Sequence, residues 1–424
     1  MNILFHTLGC KVNQYETEAM REALLNWGHT NDKNLSVDAV IINSCTVTAE
    51  SDRKTRQLVR RMRRENPGAI IALTGCMVQA FPDEAKKLTE ADIVIGNRDV
   101  TKIVNAINSY DNKRVFEIEK HQNGDSYNTI GLSKFNERTR AFMKIQDGCD
   151  RFCTYCIIPF ARGRIRSRAV SDIKAEAQRL AANGYSEIVL VGINLTSYGK
   201  GEDYNICDAV DAVCEVNGIK RVRLGSLEPD HITDEMLNRF KIQPKFCPQF
   251  HLSLQSGCDA TLKRMNRRYT AEEYYEKCEL LRKYFKNPAL TTDVIVGFPG
   301  ETEEEFEESK AFVDKVNFYE THIFKYSKRA GTKAAVMENQ NPEQIKTERS
   351  NLMLEMDAKK RAQYEEEMIG NTVEVLVEES VSMKGKTVQV GHTKEYVKIA
   401  IESESNLQNQ IIDVQIHNRS QIIH

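Results

Sequence analysis

Gln146-Asp147-Gly148-Cys149-Asp150-Arg151-Phe152-Cys153-Thr154-Tyr155-Cys156 is the stretch that decides how the rest of this 424-residue chain reads. Three clustered thiolates in a polar, turn-like setting suit an iron–sulfur cluster, which normally takes four protein ligands. With three, one iron stays open for a substrate or cofactor. The competing readings are a zinc site lacking its fourth ligand, or unrelated core thiols. Asp147-Gly148 and Asp150-Arg151-Phe152 disfavour a core.

Downstream, apolar strand-like runs alternate with helical patterns. The strands are Ala141–Gln146, Glu187–Gly192, Arg221–Gly225, Gln249–Leu254, Leu290–Val296 and His322–Tyr326. Six βα units predict a partial TIM barrel, with the cysteine loop on the C-terminal face where barrel active sites form. A charged helix over Pro342–Met368 follows, then short β-rich runs that predict a small OB-like barrel. Upstream, runs at Asn2–Thr7, Ala39–Asn43, Ala69–Thr74 and Ile93–Gly96 alternate with helices at Gln14–Asn26, Ser51–Glu65, Gln79–Leu88 and Val100–Asn108. That pattern predicts a doubly wound parallel sheet. The fold class is therefore α/β, with an N-terminal domain over 1–112, a polar linker over 113–136, a barrel core over 137–367 and a β tail over 368–424.

Cys10, Cys45 and Cys76 each follow the C-terminal end of a parallel strand and precede a helix. That topology gathers them on the sheet edge where such folds bind ligands. Taken singly each is more often a small buried hydrophobe; three at equivalent positions predict a second three-ligand cluster. Cys207, Cys214, Cys247 and Cys278 read as core residues, and Cys258 as a weaker candidate near the site. The eleven cysteines, an odd number behind an N-terminus without a signal-peptide profile, point to a reducing compartment, the cytoplasm. No apolar run is long enough for a membrane span.

Charge is balanced, 59 Lys plus Arg against 61 Asp plus Glu, which excludes a wholly basic binder but not a local patch. Arg53, Arg56, Arg60, Arg61, Arg63 and Arg64, with Lys54, fall in twelve residues without an acid. On a helix they cover about half its circumference, opposite Leu58, Val59 and Met62. A solvated face usually mixes signs, so a polyanion such as RNA is the favoured partner. Arg162, Arg164, Arg166 and Arg168 alternate in a segment that reads as extended, a second track for phosphate or carboxylate. The tail from Glu366 onward holds nine acids against five Lys or Arg, although Lys384, Lys386, Lys394 and Lys398 could form a basic strip.

Cys149-x3-Cys153-x2-Cys156 opening a (βα)6 part-barrel resembles the radical S-adenosylmethionine (SAM) superfamily. With the N-terminal cysteine domain and the β tail, the whole chain is similar to the methylthiotransferases, whose tail is a TRAM domain. Leu8-Gly9-Cys10-Lys11-Val12-Asn13-Gln14-Tyr15-Glu16-Thr17-Glu18 looks like the MtaB-type branch, which acts on threonylcarbamoyladenosine in tRNA. The isopentenyladenosine branch reads Gly-Cys-Gln-Met-Asn there. Ser226-Leu227-Glu228-Pro229, Leu254-Gln255-Ser256-Gly257, Lys263-Arg264-Met265-Asn266-Arg267 and Asp293–Glu301 match further, with Gly225 in place of an expected Ser.

The resemblance implies two [4Fe-4S] clusters, on Cys149, Cys153 and Cys156 and on Cys10, Cys45 and Cys76. The first chelates SAM, whose reductive cleavage gives a 5′-deoxyadenosyl radical. The second presents sulfur, methylated by another SAM, to C2 of the modified adenosine 37 next to the anticodon. It also implies an electron donor such as flavodoxin or ferredoxin. SAM contacts fall on Asn194, Asp293 and Gly297, the glycine allowing close approach to an adenine, while Glu228, Gln255 and Arg168, at or near strand ends, contact SAM or the nucleobase; Asn194 departs from the superfamily's usual Gly-Gly-Glu. Competing functions are methylthiolation of isopentenyladenosine or of a ribosomal-protein aspartate, and a non-enzymatic zinc-containing RNA-binding protein.

Overall fold

The computed structural model describes residues 1–128, 131–135, 139–383, 385–403 and 405–424. The N-terminal sheet runs β1 (Ile3–Thr7), β2 (Ala39–Ser44), β3 (Ile70–Gly75), β4 (Ile93–Ile95) and β5 (Val115–Glu117), all parallel and in sequential order. Its helices are α1 (Lys11–Asn26), α2 (Ala49–Glu65), α3 (Cys76–Ala80), α4 (Pro82–Lys86) and α5 (Thr101–Asn108). Separate apolar clusters cover the two faces, as all-parallel sheets require.

Two expectations change here. The single helix expected over Gln79–Leu88 is two short ones, because proline at 82 starts a new helix instead of continuing the old. The domain does not end at 112: β5 pairs with β4, so the linker begins after Glu117. The 136/137 boundary lies outside the described residues. Apolar content in β5 is too short to stand out from the polar stretch around it.

The barrel strands are β6 (Arg140–Lys144), then β7 (Gln146–Asp147) and β8 (Arg166–Ser167), a two-stranded flap, then β9 (Glu187–Val191), β10 (Arg221–Leu224), β11 (Ser226–Leu227), β12 (Gln249–Gln255), β13 (Ala289–Val296) and β14 (Glu320–Lys325). β10 and β11 are one chain path interrupted at Gly225. They join the sheets β6–β9–β10 and β11–β12–β13–β14 into six parallel strands, the expected part-barrel. Its helices are α6 (Ile158–Arg162), α7 (Val170–Ala182), α8 (Ile206–Cys214), α9 (Asp234–Lys241), α10 (Asp259–Arg264), α11 (Ala271–Tyr284) and α12 (Glu303–Val316), followed by α13 (Glu343–Glu366). Capping boxes at Thr270/Glu273 and Thr302/Glu305 fix the starts of α11 and α12.

The tail is a curled antiparallel sheet, β17 (Lys398–Ile401), β16 (Lys386–Thr393), β15 (Thr372–Met383) and β18 (Ile411–Gln415) in spatial order. It curls at a bulge between Val377 and Glu379. Among the described residues β17 and β18 do not pair with each other, and β17 bridges Ile422 through Ile399 instead, so the expected small barrel takes the form of a curled half-barrel sheet. Among the described residues no helix is long and apolar enough to cross a membrane.

The N-terminal domain spans the open side of the part-barrel. α1 lies on β6, where Lys144 holds Glu16 at 2.7 Å. At the other edge Arg329, after β14, reaches Asp52 of α2 at 2.5 Å and Thr46 at 2.7 Å. Between them Glu16 accepts a bidentate pair from Arg162, and Asp147 accepts from Lys144 at 2.6 Å, with Arg166 3.3 Å away. Glu16, Arg162, Lys144 and Asp147 are all buried. The facing cations hold both carboxyls below the usual carboxylate range, against burial. Because their folded pKa values lie below the unfolded ones, this stabilisation is complete above about pH 5 and is lost as pH falls from there through the folded values. Arg162→Ala strands a buried carboxylate, so we expect it to cost about 3–5 kcal/mol and to lower the urea midpoint followed by circular dichroism at pH 7. The difference from the unsubstituted chain should shrink towards pH 3, and equal midpoints at pH 7 would show that the network does not hold the domains.

Candidate active site and RNA-facing surface

Strand register explains how the N-terminal cysteines meet. Thr7 pairs with Asn43 and Asn43 with Thr74, so the three strands end level. Cys45 and Cys76 follow two residues later and Cys10 three. The extra residue is Gly9, at φ +108°, where a Cβ would lie 2.9 Å from that of Cys45. Only glycine combines that backbone with that approach. Cys10 caps α1, Cys45 lies in the turn that leads into α2 and Cys76 is the first residue of α3.

Asn13 is the hub between them. Its Nδ2 donates to the carbonyls of Leu8 (2.8 Å) and Ser44 (3.0 Å), while its Oδ1 lies 3.9 Å from the sulfurs of both Cys10 and Cys76. Arg162 Nε donates to Cys76 Sγ at 3.2 Å and its Nη2 to Asn13 Oδ1 at 2.7 Å. Burial pushes the Cys76 thiol up to about 12, with Arg162 acting in the opposite direction and the Cys10 and Cys45 thiolates adding to the rise. Burial also raises Cys45.

The second set sits in the loop between β7 and α6. Gly148 turns it at φ +74°, where a Cβ would collide with the Arg164 carbonyl at 1.8 Å. Cys149 N–H donates to Gly163 O (3.0 Å) and Cys156 N–H to Cys153 O (2.9 Å), which coils the loop. Phe152 takes φ +51° and packs edge-on against Phe160. Burial pushes Cys156 up to about 12, with the neighbouring Cys153 and Cys149 thiolates adding. Arg267 donates to Cys153 Sγ at 3.3 Å and pairs with Glu228, and Asn194 Nδ2 lies 3.8 Å from Cys149 Sγ.

Neither cysteine set fits a single zinc ion. Tetrahedral zinc at about 2.3 Å from each sulfur needs sulfurs about 4 Å apart. Among the described residues the one trio of ligand atoms within 4.8 Å of each other is His251, Asp293 and His322. Two wider, all-sulfur trios suit a larger iron–sulfur cluster.

Of the expected SAM contacts, Asn194 and Glu228 come to the cysteine loop as described. Gln255 ends β12 at φ +72°, beside a register shift. Asp293 points into the barrel, where His251 (3.3 Å) and His322 (3.1 Å) flank it and hold its carboxyl down against burial. Asp293 and Glu320 together lift His322 to about 10. Gly297 is backed by Lys346, whose Cγ lies 2.4 Å from a virtual Cβ, so its close approach is to α13. Cys258 is buried at the start of α10 and faces Glu308, away from the loop; the other four bystander cysteines are buried.

A cavity of about 450 Å³ joins all three domains, lined by Cys10 and Lys11 of the first, Gly192, Gly225 and Asp293 of the second and Tyr396 of the third. Lys11 is itself exposed, but the protein packed around it, with Arg140 and Arg223 nearby, pushes its ammonium down to about 8.

On α2, Arg53, Arg60, Arg61 and Arg64 are exposed and Arg56 half-buried. Arg53 is held by Glu50, Arg60 by Glu90 at 3.3 Å and Arg61 loosely by Glu65 at 3.9 Å. Lys54, Arg60, Arg61 and Arg64 line an open groove of about 640 Å³ against His6 and Leu8, two residues from Cys10. Arg63 does not belong to that face. It pairs with Asp92 and donates to the carbonyls of Pro67, Ala69 and Glu90, stapling the turn after α2. The expected extended arginine track also fails. Residues 158–162 are helical, Arg162 and Arg168 are buried on Glu16 and Glu176, and Arg166 faces Asp147; Arg164 alone is exposed, over the Phe152 ring. In the tail, Lys386, Lys394 and Lys398 each lie 3.8 Å from a glutamate, and Lys384 lies outside the described residues.

Reading the sequence did not single out Asn13, Arg162 as a thiol partner, or Arg267. All three stood inside quoted motifs, but nothing in the spacing says that their side chains turn inward to sulfur.

Residues 143–313 match the radical SAM superfamily and residues 2–96 the uncharacterized protein family UPF0004. The chain is 39% identical over 98% of its length, and 93% of the relative's, to the threonylcarbamoyladenosine tRNA methylthiotransferase MtaB of Bacillus subtilis. It is 40% identical to that of Thermotoga maritima, covering 93% and 90%. It is 34% identical to the tRNA-2-methylthio-N(6)-dimethylallyladenosine synthase of Finegoldia magna, covering 97% and 90%. Among solved structures, the radical SAM methyltransferase TsrM of Kitasatospora setae, with cobalamin and a [4Fe-4S] cluster bound, superposes at a TM-score of 0.57 with 14% identity, covering 79% of this chain and 74% of its own; that likeness is of fold. With both family matches on the two cysteine-bearing domains and full-length relatives at this identity, the chain belongs to the radical SAM methylthiotransferases, in their MtaB-type branch.

Proposed function

We propose that this protein methylthiolates C2 of N6-threonylcarbamoyladenosine at position 37 of tRNA, giving 2-methylthio-N6-threonylcarbamoyladenosine. The observation that carries this reading is the 39–40% identity, over nearly the whole chain, to two enzymes named for that nucleoside. Cys149, Cys153 and Cys156 are the proposed ligands of one [4Fe-4S] cluster and Cys10, Cys45 and Cys76 of the other. Together with SAM they supply the radical and the sulfur that an aromatic C–H needs. A flavodoxin or ferredoxin is the proposed electron donor, and the cytoplasm the proposed compartment.

The chain's own residues have separable tasks. Arg162 and Asn13 orient Cys76 and neutralise charge beside it. Asn194 and Glu228, the latter held by Arg267, are placed beside the Cys149 loop to receive the polar end of SAM. Arg60, Arg61 and Arg64, with Arg53 and Arg56 at the near end of α2, carry the anticodon arm to the groove beside Cys10. The charged cavity wall of Lys11, Asp293 and Glu320 disfavours an isopentenyl group, which would desolvate those charges without replacing their hydrogen bonds.

Anaerobic reconstitution should load about eight irons per chain, falling to about four in Cys149→Ala/Cys153→Ala/Cys156→Ala and likewise in Cys10→Ala/Cys45→Ala/Cys76→Ala. Zinc in place of iron, or full iron in either variant, would refute the ligand assignment. In a strain lacking the gene and any second such enzyme, mass spectrometry of tRNA nucleosides should find threonylcarbamoyladenosine without its 2-methylthio form. Undiminished product there would sink the substrate assignment. Arg60→Ala/Arg61→Ala/Arg64→Ala should weaken tRNA binding and flatten its dependence on log salt by a slope of about 2. Arg63→Ala should leave that slope unchanged while lowering the melting temperature; an unaltered slope in the triple variant would rule out the groove.

A further inference from the structure

The cavity beside Cys10 holds a cation with nothing to bind. Lys11, Arg140, Arg223 and the raised His322 are the cations that line it. Arg140 is paired with Glu378 at 3.0 Å and sits over the Tyr396 ring. Arg223 is paired with Glu187 at 3.1 Å and donates to the carbonyls of Lys394 (2.8 Å) and Thr393 (3.2 Å). The histidines are committed as well, His251 to Asp293, and His322 to Asp293 and Glu320. Among the described residues Lys11 has no carboxylate within 4.0 Å and no hydrogen-bond partner, although its chain neighbours Val12 and Asn13 are buried and fix its backbone.

Lys11 is exposed on the cavity wall, so its ammonium, flanked by two guanidiniums and paired with no protein group, is open to an incoming anion. The first turn of α1 contains no acid to supply one. The substrate proposed above does. Its threonylcarbamoyl substituent, a threonine joined through a urea to N6, ends in a carboxylate. N6 and C2 lie on either side of N1 along one edge of the adenine. A nucleobase that presents C2 to the Cys10 set therefore presents its N6 substituent to the same neighbourhood, and Lys11 is the residue after Cys10.

We infer that Lys11 binds the carboxylate of the threonylcarbamoyl group and determines which modified adenosine the site accepts. This rests on the substrate reading given above. Lys11 is a specificity residue and takes no part in the chemistry at C2.

The test is equilibrium binding of the reconstituted protein to anticodon stem-loops that differ only at position 37: threonylcarbamoyladenosine, its carboxylate methyl ester, and adenosine. The unsubstituted protein should prefer the acid over both others. Lys11→Ala should raise the Kd for the acid by roughly tenfold or more, the value of a charged hydrogen bond. Its Kd for the adenosine loop should not change, so that its preference disappears. Lys11→Arg, which keeps the cation, should retain most of the preference. A Lys11→Ala protein that still discriminates, or an unsubstituted protein that binds ester and acid alike, would overturn the inference while leaving the substrate reading standing. An unsubstituted protein that neither prefers nor converts the threonylcarbamoyl loop, yet converts another, would overturn both.

Discussion

Glu16 is the residue on which the arrangement of the molecule turns. It projects from α1 of the first domain into the second, where Lys144 and Arg162 meet it out of water. A buried ion pair contributes little net stability, because desolvation offsets attraction, yet breaking one is costly. Its value here is direction. Apolar faces slide against each other at small cost, whereas a bidentate guanidinium–carboxylate pair tolerates few geometries. The network also leaves charge to spare, with Glu16 and Asp147 facing Lys144, Arg162 and Arg166. The surplus positive charge lies at Arg162, 3.2 Å from Cys76, where a thiolate offsets it. One interaction thus docks the domains and conditions a proposed cluster ligand.

The C-terminal sheet is attached by the same device. Three arginines, Arg140, Arg221 and Arg223, point into the barrel from β6 and β10, with Glu187 as their one internal acid. Glu378 and Glu374 of β15 supply the rest, and Tyr396 lies under Arg140 and Arg223. This accounts for part of the tail's acidity. Part of its negative charge faces inward and is spent on the barrel floor.

Much of this was legible in advance. Apolar strands alternating with amphipathic helices give both α/β domains, because period and length are local properties. The convergence of Cys10, Cys45 and Cys76 followed from topology, since parallel strands that end level deliver their next residues to one edge. Side-chain direction was not legible. Arg162 and Arg168 read as alternating surface cations, yet a five-residue helix and two buried carboxylates turn them inward. Arg63 read as part of the basic face because it shares the spacing, but the turn at residues 66–69 brings carbonyls within its reach. The polar barrel interior was equally hidden, because Arg221-Val222-Arg223-Leu224 alternates like any half-exposed strand until a third domain caps it.

The cavity shows why these docking contacts are charged and not merely sticky. No single domain forms it: α1 contributes Cys10 and Lys11, the barrel strands contribute Asp293 and His322, and the tail contributes Tyr396. The two cysteine sets are joined by α6, whose five residues rise about 7 Å, with Arg162 at its end touching Cys76. A rotation of the first domain about α1 would move one set and not the other, and the spacing between them would be lost. Positioning of reacting groups fails at errors of about 1 Å. An interface whose energy depends on angle as well as area is therefore what a site divided between domains requires.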